Sequence, residues 1–455
     1  MKKISHFLAT VLILSTLLFV YPAPVFADQI ENSTLSWNYD ANTATLTLEG
    51  PTQQMSYIPW KRYENSIKHI VYNNCNINDT SPLQQWYENI VNQVETVSLK
   101  EKSGFYLVLD YKNGNIIFGG KGQFPNCDMW LRLFNRNSRW SRLTISDGLT
   151  GIDEFKSTLS IDQLIIGKDV KSVNIIPFKS FQVDQNNPYF SSYNDCLYSK
   201  DFSKLVRCPY MMSIIKFHPN LSVLGKACFP GGIETSQLVI PWGVIEIEDL
   251  PRYKANTIQN FEVILPDTIK KITYDEHIVS SPMTFIYSKD NQEAHRVIKA
   301  EIDYLAKGQQ PEAKELDNVS SYYGITPNSL KTFQNGKTYY FDQNCKMTKG
   351  WKQASGNWYY FNDYGAAVVK IWLKSGNKWY FMQADGTMAT NKWIQWYNKW
   401  YYVGSDGAMY ANRWIKSSGK WYYLGSDGAM YTNRYTPDGC WVNGSGVWEI
   451  GRAHV

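Results

Sequence analysis

The sequence predicts a mainly β chain in which one repeat solenoid is followed by a second solenoid built of β-hairpins. Three observations predict it. The 455 residues are enough for two or three domains, not a single core. Short apolar strands recur at a step of 24 residues through the middle of the chain. Tryptophans recur every 21 residues near its end, where eleven of the 17 lie between Trp351 and Trp448. At 44% hydrophobic and 19% charged, the chain is neither disordered nor polytopic. The net charge of +5 is small and dispersed, and two of the lysines, Lys2 and Lys3, sit at the extreme N-terminus. That excludes a dedicated nucleic-acid binder.

The first element, residues 1–27, reads as a signal peptide. Lys2 and Lys3 precede an apolar run from Phe7 to Val20, and Val25-Phe26-Ala27 places small residues where signal peptidase cleaves. The run is short for a span of ~20 residues, so an uncleaved anchor is the lesser alternative. The mature chain is therefore expected to be secreted and extracellular, not membrane-embedded. The seven cysteines follow no metal-ligand spacing, no HExxH or CxxC occurs, and no metal or other cofactor is expected. Cys196 and Cys208 flank Lys200-Asp201-Phe202-Ser203-Lys204, a hairpin turn, and would face each other as two buried thiols; a bridge is the alternative.

Residues 28–150 carry a duplicated hairpin module. Trp37-Asn38-Tyr39-Asp40 with Leu46-Thr47-Leu48-Glu49-Gly50 and Trp60 recurs as Leu107-Val108-Leu109-Asp110 with Ile116-Ile117-Phe118-Gly119-Gly120 and Trp130. Asn113-Gly114 suits a type I′ turn. An apolar strand follows each copy, at Ile67–Tyr72 and at Leu143-Thr144-Ile145. Over 151–290 further strands are expected at Leu164-Ile165-Ile166, Ile214-Ile215-Lys216-Phe217, Leu238-Val239-Ile240 and Val263-Ile264-Leu265. Second apolar segments follow at Val244-Ile245-Glu246-Ile247 and Ile269-Lys270-Lys271-Ile272, which describes a leucine-rich-repeat type of coil. The stretch from Phe181 through Cys196-Leu197-Tyr198 to Cys208-Pro209 resembles the hairpin-bearing coil of bacterial surface-antigen leucine-rich repeats. The resemblance covers roughly 35–290, with degenerate coils at 67–150. Residues 291–335 are read as a helix from Gln292 to Lys307 that closes the open end of the coils, with Ala294, Val297, Ile298, Ile302 and Leu305 on one face. A linker at 308–315 follows.

The aromatic array, 336–449, is the last large element. Trp351, Trp372, Trp393, Trp414 and Tyr435 keep the 21-residue step, as do Trp358, Trp379, Trp400 and Trp421. Asp-Gly between aromatic strands means hairpins, and a hairpin this short cannot bury its rings alone, so neighbours must stack into a spiral of either hand. Side chains alternate faces along Trp-Tyr-Tyr, leaving some rings at the seams between hairpins. Rings there make an electron-rich box for a quaternary ammonium, at about 0.5–2 kcal/mol per ring; the same rings can stack on sugars. A fold-only role for all of them is disfavoured, because Leu, Ile and Val fill a core more simply.

The array resembles the choline-binding, or cell-wall-binding, repeats of bacterial surface proteins. The resemblance implies three ligand sites for choline or sugar. The first joins Trp351 and Trp358 with Tyr380 and Met388. The second joins Trp372 and Trp379 with Tyr401 and Met409, and the third Trp393 and Trp400 with Tyr422 and Met430. Phe381, Tyr402 and Tyr423 are rivals for the closing aromatic. Trp414 and Trp421 lack a closing Tyr, since the last unit reads Cys440-Trp441-Val442. The array carries an excess of Lys and Arg, which opposes a choline head but favours the phosphates of teichoic acid. Residues 450–455 fit no repeat.

No catalytic residue is assigned. His69, His218, His277 and His295 stand in no catalytic context, and Asp275-Glu276-His277 reads as a charged turn. No Gly-x-Ser-x-Gly or phosphate loop occurs. The order of elements points to a non-enzymatic, wall-attached surface protein of adhesin type. The array would hold choline-bearing teichoic acid or another wall glycan, and the coils would present a face to an unidentified protein or glycan. The alternatives are a wall hydrolase with its site in 75–140, and a secreted glucan-binding protein.

Overall fold

The computed structural model describes residues 35–50, 58–75, 82–124, 139–152, 160–173, 178–209, 215–229, 235–249, 261–273, 283–304 and 312–449. The expected signal peptide, Trp130, Ile214, His277 and the 450–455 tail lie outside them. The chain divides into two compact units, one of residues 1–212 with 229–231, the other of the remainder.

The first unit holds a nine-stranded sheet. Its strands in spatial order are Ser36–Asp40, Thr45–Glu49, His69–Asn73, Thr96–Lys100, Tyr106–Asp110, Asn115–Gly119, Arg139–Ile145, Ser160–Ile166 and Phe178–Val183. Three pairings are antiparallel, those within the hairpins Ser36–Glu49 and Tyr106–Gly119 and that of Thr96–Lys100 with Tyr106–Asp110. The others are parallel, as successive turns of one coil require. The period of two along each strand sends alternate residues inward. Register then lines them into two apolar ladders across the sheet. One runs Leu46, Ile70, Val97, Leu109, Ile116, Leu143, Leu164, Phe181; the other runs Leu48, Tyr72, Leu99, Leu107, Phe118, Ile145, Ile166, Val183. All but Val183 are buried. The expected division at residue 150 therefore falls inside one sheet, because the hairpins lend their strands to the coils' own ladder.

Both hairpins of the duplicated module form, but the second does not turn at Asn113-Gly114 as a type I′ pair. Asp110 pairs with Asn115 across a four-residue loop, and only Gly114 there has a positive φ, 67°. The Asp110 carboxylate accepts from the Asn113 amide and side chain, which caps this longer turn. Asp40 does the same for Asn42 and Thr43 in the first copy. Further along, Phe190–Tyr193, Cys196–Ser199 and Lys204–Arg207 pair as three antiparallel strands. Cys196 and Cys208 are buried with their Sγ atoms 3.8 Å apart and unbridged.

The second unit has coils of its own, with four parallel strands, Gln237–Val239, Phe261–Ile264, Met283–Ser288 and Glu312–Leu316. Shorter parallel strands, Val223–Leu224, Glu246–Ile247 and Lys271–Ile272, mark the second apolar segment of each turn. Two expectations change here. Register sets Leu238 against Val263 and Val239 against Ile264, one residue longer than the 24-residue step. Residues 215–217 form no strand. The helix Gln292–Tyr304 forms where its spacing predicts, with Asn291 accepting from the Ala294 amide at its start. Ala294, Val297 and Ile298 are its buried face. It is no end cap, however. The residues at 312–316, read as linker, form the strand that extends the sheet beyond it, so the helix is a crossover between two parallel strands.

Six antiparallel hairpins follow. They are Ser329–Thr332 with Thr338–Phe341, Gly350–Ala354 with Asn357–Phe361, and Ile371–Ser375 with Lys378–Met382. Lys392–Trp396 pairs with Lys399–Val403, Arg413–Ser417 with Lys420–Leu424, and Arg434–Tyr435 with Trp441–Val442. The array thus begins before the expected Gly336. Its first hairpin is seated on the coils through Trp242, which packs among Tyr323, Phe333, Tyr339 and Phe341 at centroid distances of 5.1–6.2 Å. Tyr323 donates to the Ile240 carbonyl and Asn335 to that of Trp242, closing the joint.

Trp242→Ala is expected to lower stability by about 3–5 kcal/mol, read as a lower urea midpoint for the second unit. Asp267, beside Ser288, is pushed up to about 6 by burial. Its folded pKa exceeds the unfolded one, so ionisation costs stability as pH rises from about 4 to 6. Asp267→Asn is expected to be more stable than wild type by about 2–3 kcal/mol at pH 7, with the gain gone below pH 4 in the same denaturation series.

Candidate ligand-binding site

Alternation along the hairpin strands sorts the rings. In Ile371–Met382, Trp372 faces Phe381 across the ladder and Lys374 faces Trp379, all on one side; Leu373 and Tyr380 pair on the other. Phe381 therefore backs Trp372 within its own hairpin at 5.2 Å, as Tyr360 backs Trp351, Tyr402 backs Trp393 and Tyr423 backs Trp414, each at 5.3 Å. Tyr380, on the reverse side, meets Trp351 of the preceding hairpin at 5.1 Å. Tyr401 meets Trp372 at 5.4 Å and Tyr422 meets Trp393 at 5.2 Å in the same way. Three successive junctions thus each hold a first Trp and the reverse-side Tyr of the next repeat.

The second Trp and the Met complete each junction. Trp351 and Trp358 stand nearly perpendicular at 6.3 Å, and Trp393 and Trp400 at 6.4 Å. The Met388 amide donates to the Trp358 carbonyl at 2.7 Å, Met409 to Trp379 at 2.8 Å, and Met430 to Trp400 at 2.7 Å. These bonds stitch each repeat to the one before. Trp358, Trp379 and Trp400 remain 40–42% exposed, although they sit in the array's junctions. Ring contacts thus bring Trp351 to Trp358 and Tyr380, Trp372 to Tyr401, and Trp393 to Trp400 and Tyr422, while Met388, Met409 and Met430 are tied to Trp358, Trp379 and Trp400 through the backbone.

Glycine makes the Met position workable. Gly407 has φ +77°, and a Cβ there would lie 2.5 Å from the Met388 sulfur; Gly428 and Gly446 stand alike toward Met409 and Met430. Two lysines next to the open indoles have acid partners. Lys378 pairs with Asp406 at 2.8 Å and Lys399 with Asp427 at 3.3 Å. The hydrogen bond from Lys378 holds the Asp406 carboxyl below the usual carboxylate range. Two of the lysines beside the boxes are thus matched by acids, which reduces the opposition to a cationic ligand expected from the basic excess.

Sequence reasoning missed two features. At the fourth junction, Trp448 takes the place that Met holds elsewhere. Its amide donates to the Trp421 carbonyl at 3.0 Å, and its ring lies 6.1 Å from Trp414. Trp414, Trp421 and Trp448 make a box of three indoles without a Tyr. The signal was there, since the bridge Val442↔Trp448 repeats Leu424↔Met430, but a shorter last unit hid it. The second feature is a lock on the first Trp. Trp351 Nε1 donates to Ser375, Trp393 Nε1 to Ser417 and Trp414 Nε1 to Asp438, each 24 residues on. For Trp372 that position is Trp396, and its Nε1 is buried with no acceptor. An unmet indole N–H costs about 1–3 kcal/mol.

Gly407→Ala is expected to destabilise the array by about 1–3 kcal/mol through strain and the Met388 clash, read in thermal unfolding of the 329–449 signal.

Family models of choline-binding repeats match residues 329–372 and 408–448, and a model of cell wall binding repeats matches 371–388 and 391–409. No curated protein matches the chain. Choline binding protein F of Streptococcus pneumoniae is similar at 38% identity over 28% of this chain and 40% of its own, with a TM-score of 0.24. The modular autolysin LytC of Streptococcus pneumoniae is 27% identical over 27% and 28%, with a TM-score of 0.25. The choline binding domain of another Streptococcus pneumoniae protein is 33% identical over 18% of this chain and 95% of its own, with a TM-score of 0.17. The chain spans about two fifths of the length of the choline binding protein F structure it matches.

Proposed function

From an array of choline-binding repeats, we propose that this chain is a non-enzymatic surface binding protein held on the cell wall by choline-bearing polymer, with coils of leucine-rich type presenting a face to a second partner. One observation carries the attachment half. Trp358, Trp379 and Trp400 stay open at junctions where a first Trp, a Tyr of the next hairpin and a Met converge. A trimethylammonium group fits such a recess by cation–π attraction, at roughly 0.5–2 kcal/mol per desolvated ring. One box is weak on that scale, and several boxes engaging one polymer raise retention by avidity. The Trp414, Trp421 and Trp448 junction adds a fourth of the same kind. The coils support the second half of the reading, because a parallel ladder of stacked turns offers an extended face and a repeat solenoid is ordinarily a binding surface.

Choline chloride titrated into the full chain is expected to change tryptophan fluorescence saturably, and excess choline to elute the chain from purified walls. Trp358→Ala, Trp379→Ala and Trp400→Ala together are expected to cut wall retention by at least tenfold while the coils still unfold cooperatively. Retention on dextran but not on walls would replace choline polymer with glucan as the ligand. Clearing of purified walls in a zymogram would replace the binding protein with a hydrolase.

A further inference from the structure

We propose that Trp396 and Tyr397, at the tip of the hairpin Lys392–Val403, form a saccharide site that takes one neutral pyranose ring of the wall's glycan strands beside the second aromatic box. It rests on the reading that the boxes hold this chain on the wall.

The two residues break rules that the other repeats keep. Where Trp396 stands, the neighbouring hairpins have Ala354, Ser375 and Ser417, and the serines hold the first Trp of the preceding repeat. Trp396 leaves Trp372 Nε1 without that acceptor. The adjoining tips carry Ser355-Gly356, Gly376-Asn377 and Ser418-Gly419, small or turn-forming residues. Here Tyr397 occupies the left-handed region at φ 44° with its ring 86% exposed. An aromatic in that conformation is strained, and a ring in water adds nothing to the core. Local choices that oppose the fold concentrate at functional sites.

The rings are continuous with the box. Tyr397 and Trp396 lie 5.1 Å apart at 81°, Trp396 and Phe381 5.5 Å apart, Phe381 and Trp372 5.2 Å, Trp372 and Tyr401 5.4 Å. Such a path carries the second box out to the tip of the hairpin that follows it, whereas the third box continues from Tyr402 to Tyr410.

The chemistry at the tip is not that of a cation site. Two rings, one almost wholly in water, cannot desolvate a quaternary ammonium. Lys399 lies directly across the hairpin from Trp396, with Asp427 as its partner, so the tip has no uncompensated acid to attract a cation. What the tip offers is an open flat ring with polar groups beside it, namely Asn398 and the Lys399–Asp427 pair. A pyranose matches this by laying its C–H face on the aromatic and its hydroxyls toward the rim. With the boxes tethered to wall polymer, the wall's own glycan is present at high effective concentration, so a weak site suffices.

The test uses the full chain as wild type, Trp396→Ser and Tyr397→Asn. Both substitutions install residues suited to the position, so each variant is expected to unfold at the wild-type temperature or above. The probe is soluble glycan strand released from purified walls by amidase and freed of teichoic acid, followed by calorimetry. Each variant is expected to weaken strand binding at least fivefold, with the choline response unchanged. Strand affinity within twofold of wild type overturns the proposal, as does wild type that binds no strand. Binding of dextran without wall strand overturns the assignment to the wall. Sedimentation velocity on the same samples completes the set: a change of oligomeric state with strand affinity intact makes the tip a contact between copies and overturns it. Choline is titrated separately, so failure of the box reading shows as a missing choline response whatever the strand titration gives.

Discussion

A hairpin whose rings sit on both faces has nowhere to bury them except against another hairpin. That constraint organises the C-terminal array. The first Trp of each repeat is backed by its own hairpin's second-strand aromatic, Tyr360, Phe381, Tyr402 or Tyr423, and is met from the far side by the next repeat's Tyr or, at Trp414, by Trp448. The backbone bond from each Met, or from Trp448, to the preceding repeat's second Trp fixes the distance between neighbours. Burial on the inner rings and exposure of Trp358, Trp379, Trp400 and Trp421 are two sides of one geometry. The stack that makes the spiral stable also leaves an open indole at four of its seams.

The coils solve a related problem with aliphatic residues. A parallel strand has to be covered and paired by its neighbours, and register brings Leu46, Ile70, Val97 and their successors into line so that each turn seals the last. Where the coils give way to the array, Trp242 closes the seam with an aromatic cluster of the array's own kind. The first hairpin there has Leu330 where later ones have Trp, and its junction with the next packs Tyr340, Tyr359 and Phe361 as core instead of an open box. Junctions with an open indole therefore begin one repeat in, once the array no longer needs its rings to hold on to the coils.

Much of the candidate site was legible because its period is exact in residue type. Trp351 through Trp414 and Trp358 through Trp421 could be aligned by counting, and alternation told which ring turns to which face. The choice between Tyr380 and Phe381 as the closing ring was not legible. It depends on which side of one hairpin meets its neighbour, and only the packing shows that. Trp448 was missed for the opposite reason. The last unit is shorter, so counting fails while the bridge pattern persists. The 24-residue step and the turn at Asn113 failed where a single inserted residue or a capping Asp110 outweighs a local preference.

The sequence by itself determined that the chain is β-rich and repetitive, that hairpins follow coils, and which residue types recur at the seams. Those are properties of period and of turn chemistry, which act over a few residues. The tertiary structure alone decided that residues 312–316 join a sheet, that Trp242 belongs with the array, that Lys378 and Lys399 are matched by acids, and that Trp372 loses the hydroxyl its counterparts keep. Each of these pairs residues from 24 to nearly a hundred positions apart. Such contacts exist only after the turns have stacked, and no local pattern in the chain encodes them.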